Sequence, residues 1–482
     1  MFQKIEKIEN YGKFSNQCIG SPNWGGALRK VNVVYAPNGS GKTSLSVMFR
    51  SLKEDSELVN KKKSFLSEKS PNIRLRLEGG RPIKFSNGSW DHTVENIVIF
   101  DNFYIEDNIY LITLKEEFGR LYFFELQKKE EIQKLAENLD LKKRERVKLS
   151  EKRKNFRRNA NQAGLKYEVD KRYITMTQKG LELDRCIKQM EQQRNEITIQ
   201  QRDLFREKIN LYLSCFSDDI EIVSLTLIKG KILYSIKING QIINTTDYNR
   251  YSLKYSLSEG DKNALSLSFF LAKLDMIPNL KDFFIVIDDP FTSFDQSRKL
   301  ATINKLVSLS QKINQMLLLT HDQYFARDFY KKCDQEKLSL QLIGTINGSV
   351  FQEYDIEDAT MTGITKDIKV LNEYLKKGAQ NQTEMREIAR CIRPSIEGII
   401  RLKFYQYVNQ TEWLGDFIKK IKNSTSDSPF YRLKNSLDEI CEINDFSKVY
   451  HHSNPSFMEE PISNTELKNY VKRTLKLIME KI

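Results

Sequence analysis

The rhythm of apolar and polar positions changes three times along this chain, and each change predicts a different kind of element. Residues 1 to about 126 carry short apolar runs bounded by polar turns. Lys30–Tyr35 is a β-branched run, Asn96–Phe100 is apolar enough for a buried strand, and Ile73-Arg74-Leu75-Arg76-Leu77 alternates as an exposed strand does. Helical character begins at Thr43. Residues 127–205 then hold two charged, proline-free helical segments, separated by an irregular piece at 160–172 with Gly164 near its middle. In the second segment Met176, Leu183, Met190, Ile197, Leu204 and Leu211 recur every seven residues. The companion column, Gly180, Ile187, Arg194, Gln201 and Lys208, has Ile187 as its one good apolar member. A single apolar column is a helix-packing seam, whereas a zipper needs both. The pattern predicts an antiparallel helical hairpin whose arms of roughly 30–35 residues reach about 45–50 Å.

Strand rhythm returns at Ile220–Leu227 and Lys231–Ile238, with Asn239-Gly240 suited to a tight hairpin turn. It recurs at Phe284–Asp288, Gln315–Leu319 and Leu340–Ile343. From about Glu357 onward the sequence reads as helical. These shifts divide the chain into a head in two lobes (1–126 and 206–357), an inserted hairpin (127–205) and a helical C-terminal domain for an effector or a partner (358–482).

Composition narrows the class. The longest apolar runs, such as Phe283–Ile287, are far shorter than the roughly 20 residues that span a bilayer. The first residues lack the pattern of a secretory signal, so the expectation is a soluble cytoplasmic protein without a membrane partner. Six scattered cysteines without a Cys-x-x-Cys pair predict reduced structural thiols and no zinc hook. The net charge of +13 is concentrated: residues 127–172 hold sixteen Lys/Arg against eight Asp/Glu. Such a stripe fits a nucleic-acid backbone, and it equally fits a solvated helical surface.

Three motifs carry the chemistry. Ala36-Pro37-Asn38-Gly39-Ser40-Gly41-Lys42-Thr43 follows a predicted strand and opens a predicted helix, the setting of a phosphate loop. Gly39 and Gly41 let backbone N–H groups wrap phosphates. Lys42 reaches the β and γ phosphates of ATP and Thr43 offers a hydroxyl to Mg²⁺, with Asn38, Ser40 and Ser44 completing the nucleotide-binding run. Ala36 stands where the general pattern has glycine, which requires a negative φ there. Asp288 ends the strand Phe284–Asp288, where a carboxylate can hold Mg²⁺, and Asp289 follows it in position to polarise a water. Between loop and strand lies Leu257-Ser258-Glu259-Gly260-Asp261-Lys262.

In this order the motifs resemble the RecN/SMC-like ABC ATPases of bacterial antiviral defence, among them the Septu ATPase PtuA and the anticodon nucleases PrrC and RloC. The matching residues are Tyr35–Thr43, Leu257–Lys262, Ile287-Asp288-Asp289-Pro290 with Ser293-Phe294-Asp295, and Leu319-Thr320-His321-Asp322. The resemblance implies an α/β fold, a P-loop ABC-type head with the hairpin inserted and a mainly helical C-terminal domain. It implies that Ser258 and Gly260 face the γ-phosphate held by a second copy, so that ATP joins two heads. Asp289, an aspartate where most such heads have glutamate, and His321 are then the catalytic pair. Ser293 and Asp295 link the two sites of the homodimer, and Asp101 or Asn102 stands for the usual glutamine near the metal.

The C-terminal domain separates three readings. The resemblance to PtuA implies a regulatory ATPase that controls a separate HNH-type nuclease partner. Resemblance to PrrC and RloC implies a self-contained ribonuclease, for which Arg393, Glu397 and His451 or His452 have the right types and spacing. An Arg-x-x-x-Glu pair is also an ordinary intrahelical ion pair, and Pro394 predicts that it lies near a helix start. A RecN-like DNA-repair ATPase gripping DNA by its basic hairpin is the third.

Overall fold

A computed structural model describes residues 1–482 except 21–22, 54, 66, 107–128, 229–230, 245–256, 291–295, 410 and 451–460. The chain divides into two compact units, Met1–Tyr354 and Asp355–Ile482. Among the described residues no helix is long and apolar enough to cross a membrane.

The first unit is built on a six-stranded sheet. Its strands are β2 (Val31–Tyr35), β6 (Ile97–Phe100), β10 (Phe284–Asp288), β11 (Gln315–Thr320), β12 (Lys337–Thr345) and β13 (Gly348–Glu353), in the order β13-β12-β2-β11-β10-β6. All neighbours are parallel except β12 and β13. β10 and β11 are apolar at almost every position because both of their faces are covered. Buried Asn32 keeps its place on β2 by bonding the Met316 carbonyl at 3.1 Å and the Arg29 carbonyl at 2.8 Å.

A second, antiparallel sheet runs β1 (Phe2–Glu9), β3 (Asn72–Leu77), β4 (Pro82–Ser86) and β5 (Ser89–Trp90). The alternating strand of the sequence is β3. It is half-buried rather than exposed: Ile73 and Leu75 lie in the core while Arg74 and Arg76 pair with Glu6. Helix α1 (Lys42–Ser51) joins the two sheets through Phe49, whose ring meets Phe2 at 5.3 Å and Phe284 at 5.0 Å. A small third sheet holds β7 (Ile220–Ile228), β8 (Lys231–Ile238) and β9 (Gln241–Asn244). Asn239 and Gly240 both take positive φ in the β8–β9 turn, as their pairing predicts.

The inserted hairpin consists of α2 (Lys129–Gln162) and α3 (Lys171–Leu213). The second arm runs eight residues past the expected boundary at 205, and at 43 residues it is about 65 Å long. Leu183 and Ile197 are buried in the seam, but Leu211 is 63% exposed. At that end the buried face has passed to Phe205, Ile209 and Leu213, which pack toward β7 and helix α4 (Glu259–Leu274). A straight helix drifts off a strict seven-residue repeat by about 20° per heptad. In the companion column Gly180 has a packing role. Gly180 leaves room for Arg146, whose Cζ would stand 3.7 Å from a Cβ there, and Arg146 crosses to Asp184 with two bonds of 2.8 Å. Lys143–Glu191 at 2.7 Å and Lys179–Glu145 at 3.2 Å continue this ladder between the arms.

Completing the first unit, α5 (Gln296–Lys312) and α6 (Gln323–Lys332) flank β11 in sequence. Among the described residues the second unit holds helices and no strand: α7 (Gly363–Lys377), α8 (Gln382–Lys403), α9 (Leu414–Lys422), α10 (Leu437–Lys448) and α11 (Asn464–Lys476). Leu371, Ile392, Ile396, Phe417, Ile440 and Val471 meet in its core. Pro394 is a correction to the sequence reading, for it lies in the middle of α8 and not near a start. It has no N–H for the carbonyl of Arg390, a local loss that a helix tolerates when its neighbours are well packed. Here Ile388, Ala389, Ile392, Ile396 and Ile400 are all buried on one face of α8.

Candidate nucleotide site

Parallel strands bring their C-terminal ends to one edge, and this is where the motifs meet. Thr320 of β11 is paired with Tyr35 of β2, and Asp288 of β10 with Leu319. The phosphate loop leaves β2, Asp289 leaves β10, and His321 leaves β11. Sheet topology, not sequence proximity, assembles the site.

The loop has the backbone that glycine permits. Gly39 takes φ 81° and Gly41, the N-cap of α1, takes φ 109°. Ala36 keeps a negative φ, so its methyl group costs nothing. Lys42 is 6% exposed, and its Nζ donates to the carbonyl of Ala36 at 2.9 Å and to Asn38 Oδ1 at 3.4 Å. The same ammonium lies 3.5 Å from Asp289 Oδ2. Ser40 and Ser44 are buried, Thr43 is half-buried, and the Ser44 carbonyl accepts the Tyr11 hydroxyl at 2.7 Å.

Asp288 and Asp289 have different environments although they are adjacent. Asp288 is 8% exposed; its Oδ2 accepts Ser46 Oγ at 2.9 Å, and its Oδ1 has no hydrogen-bond partner among the described residues. Burial, reinforced by the neighbouring Asp289 carboxylate, raises its pKa to about 7. A buried carboxylate oxygen with no donor is costly by itself. A hydrated divalent cation would satisfy it, so the residues fit Mg²⁺ held between Asp288 and Thr43. Asp289 sits at φ 45°, a left-handed turn immediately after the strand that aspartate tolerates better than most residues. Its Oδ1 accepts the His321 backbone N–H at 2.9 Å and meets His321 Nδ1 at 2.8 Å. With the carboxylate ionised, Nδ1 carries the proton and donates, leaving Nε2 directed elsewhere.

Ser258 and Gly260 are not part of this cluster. Ser258 caps α4, accepting the Asp261 N–H at 3.1 Å and donating to Asp261 Oδ2 at 2.6 Å. It is exposed, and among the described residues no hydrogen bond or ion pair joins Ser258 or Gly260 to the phosphate loop. Asp101 is fully buried and committed: Arg50 reaches both of its oxygens, at 2.5 and 3.2 Å, and the Tyr104 N–H caps onto Oδ1 at 2.9 Å. Asn102 is exposed. Ser293, Asp295, His451 and His452 lie outside the described residues.

One cation beside the loop belongs to no motif. A Cβ on Gly39 would stand 3.4 Å from the Nζ of Lys13. The turn carrying Lys13 is pinned, since the Ser349 N–H donates to its carbonyl at 2.7 Å and Gly12 (φ 53°) packs so closely on Ser44 that a Cβ would be 2.7 Å from Oγ. A lone lysine after the first strand gives no signal by spacing. Only the tertiary contact brings it to the loop.

In the second unit Arg393 and Glu397 do share a face of α8, with Nε to Oε1 at 2.8 Å. The Glu397 side chain is 4% exposed, and the same Oε1 also accepts the Leu414 N–H at the start of α9, at 2.8 Å. That arrangement ties two helices together. Glu397→Ala is therefore expected to destabilise the second unit by about 2–4 kcal/mol, by stranding a largely buried guanidinium and an N–H. Glu397→Gln, which keeps an acceptor, costs less. Denaturant melts of the full chain check this. A Glu397→Ala melt that matches wild type would refute the structural role and leave the pair free for chemistry.

A protein-family profile described as an AAA domain matches residues 234–436, a span that includes parts of both units. No curated protein sequence matches the chain. Among solved structures, the chain is similar to the Smc head domain with an extended coiled coil, bound to the C-terminal domain of ScpA, derived from Pyrococcus furiosus. That match has 14% identity and a TM-score of 0.44, and covers 77% of this chain and 99% of that one. The Smc head domain with a coiled coil and joint derived from Pyrococcus yayanosii is similar at 11% identity and a TM-score of 0.41, covering 74% and 97%. The SMC head domain from Thermotoga maritima follows at 13% identity and a TM-score of 0.30, covering 73% and 99%.

Proposed function

We propose that this chain is an ATPase whose two heads close on ATP and whose cycle controls a nuclease, supplied by a separate HNH-type subunit in antiviral defence. The observation that carries the ATPase reading is the meeting of Lys42, Asp288, Asp289 and His321 at one sheet edge, with an unpartnered Asp288 oxygen among them. Backbone N–H groups of residues 39–43 cradle the phosphates, and Lys42 leaves the Ala36 carbonyl to neutralise them. Thr43 and Asp288 would hold Mg²⁺, which would supply charge neutralisation to the phosphates. Asp289 takes a proton from the water that attacks the γ-phosphorus, as the bond to the bridging oxygen breaks and ADP departs with its electron pair. His321 holds that carboxylate in place.

Exposed Ser258, unattached to its own loop, supports a second copy as its partner, with Ser293 and Asp295 linking the two sites. The antiviral role and the nuclease partner rest on the motif resemblance. The self-contained ribonuclease reading asks Glu397 for acid–base work, but its Oε1 is already shared by two donors. Purified chain should release phosphate from ATP, double its mass by light scattering when ATP is added, and leave labelled tRNA and duplex DNA intact. RNA cleavage by the chain alone, lost in Arg393→Ala, would replace the separate subunit with an intrinsic nuclease. Absence of turnover and of ATP-dependent assembly would remove the ATPase reading itself.

A further inference from the structure

The second unit has a feature that neither the ATPase chemistry nor the Arg393–Glu397 pair uses. A cleft of about 400 Å³ opens between the end of α8 and the segment before α10. That is within the range of roughly 300–1,000 Å³ found for small-ligand sites. Its walls include Tyr407 and Tyr431, which are 55% and 47% exposed, and the cations Lys403 and Arg432. Ser426 and Ser428 add hydroxyls. The surrounding surface is unusually aromatic for exposed residues, with Tyr405 at 71% and Trp413 at 57%.

The lining residues include two cations and no carboxylate. Arg432 lies over the buried Phe404 ring, 4.6 Å from its centre, which fixes the guanidinium plane without neutralising it. Among the described residues neither Lys403 nor Arg432 has a carboxylate partner. Of the nearby carboxylates, Glu412 pairs with Lys420 at 2.7 Å and Asp416 caps α9, while exposed Asp427 accepts from Ser426 Oγ at 3.2 Å and keeps its charge. Exposed phenol rings beside cations that have no carboxylate partner match a stacking platform with a phosphate contact, with Lys434 Nζ 5.2 Å from the centre of the Tyr431 ring on one of its faces.

We propose that this cleft binds single-stranded nucleic acid, stacking a base against Tyr407 or Tyr431 and taking the adjoining phosphate on Lys403 and Arg432. A duplex keeps its base faces covered and cannot use the rings. An acidic peptide would use the cations and leave the rings idle. The inference is independent of the ATPase reading.

Fluorescence anisotropy of the full chain with labelled single strands of about 12 residues of U or dT, a length within the usual site sizes, tests it. Wild type should bind the single strands at low salt and bind a duplex of equal length at least tenfold more weakly. The double variant Tyr407→Ala, Tyr431→Ala should lose about 10- to 100-fold in affinity, since each stacked base is worth that order of effect. Its far-UV circular dichroism and denaturant melt should match wild type, which shows that the variant is folded. Arg432→Gln should reduce the slope of log affinity against log salt by about 0.7, one phosphate contact. The proposal is overturned if wild type binds no oligonucleotide, if the double tyrosine variant binds as wild type does, or if duplex or polyglutamate competes as well as the single strand.

Discussion

Lys42→Ala should weaken ATP binding by roughly 30-fold to several-thousand-fold, the equivalent of about 2–5 kcal/mol, while the chain stays folded. The ammonium is 6% exposed, so its interaction with a phosphate is little screened by water. Before nucleotide arrives, Nζ is satisfied by the Ala36 carbonyl and Asn38 Oδ1 and lies 3.5 Å from Asp289. All of these partners sit on the loop or beside it. Binding ATP therefore exchanges the neutral acceptors of the loop for anionic phosphate oxygens. Alanine keeps helix α1, whose packing rests on Leu45, Met48 and Phe49, and removes a buried cation at the loop. Lys13, beside Gly39, cannot replace it, because its ammonium is exposed and worth correspondingly less. Isothermal titration with ATP checks the loss, and a thermal melt checks the fold. Affinity within threefold of wild type would mean that the loop does not bind phosphate through Lys42.

The residues legible in the sequence were those whose geometry is set locally. Gly39 and Gly41 announce the loop because only particular backbone conformations wrap a phosphate. Asp288 and Asp289 were legible because they close an apolar run, and His321 because the order of the motifs resembles that of ABC heads. What was hidden depends on distant packing. Nothing in the run Phe284–Asp289 shows that Asp289 turns into the left-handed region, or that its carboxylate is held by both the backbone and the ring of His321. Lys13 reaches the loop only because Ser349, far along the chain, pins its turn. Pro394 misleads for the same reason, since burial of α8 on both sides of it outweighs a local helix-breaking preference. Leu211 shows the opposite failure. A periodicity that holds along α3 stops reporting burial where the packing partner changes from α2 to the head.

Asp289→Asn should leave ATP binding intact and lower turnover by about 10²- to 10⁴-fold, the usual contribution of a positioned general base. The amide oxygen can still accept the His321 backbone N–H at the 2.9 Å site, so the turn after β10 is preserved. It cannot take a proton from water, and it no longer pairs with an ionised partner at Lys42. If turnover is what separates closed heads, the variant should hold ATP and persist as a dimer that size-exclusion chromatography resolves. Lys42→Ala should show neither behaviour, because it fails one step earlier. The pair thus separates binding from cleavage at residues within 3.5 Å of one another. His321→Ala gives the intermediate case: Asp289 remains chemically competent but loses its 2.8 Å side-chain contact, so turnover should fall less than in Asp289→Asn. Unchanged turnover and assembly in Asp289→Asn would place the base elsewhere and refute the reading of this sheet edge as the hydrolytic site.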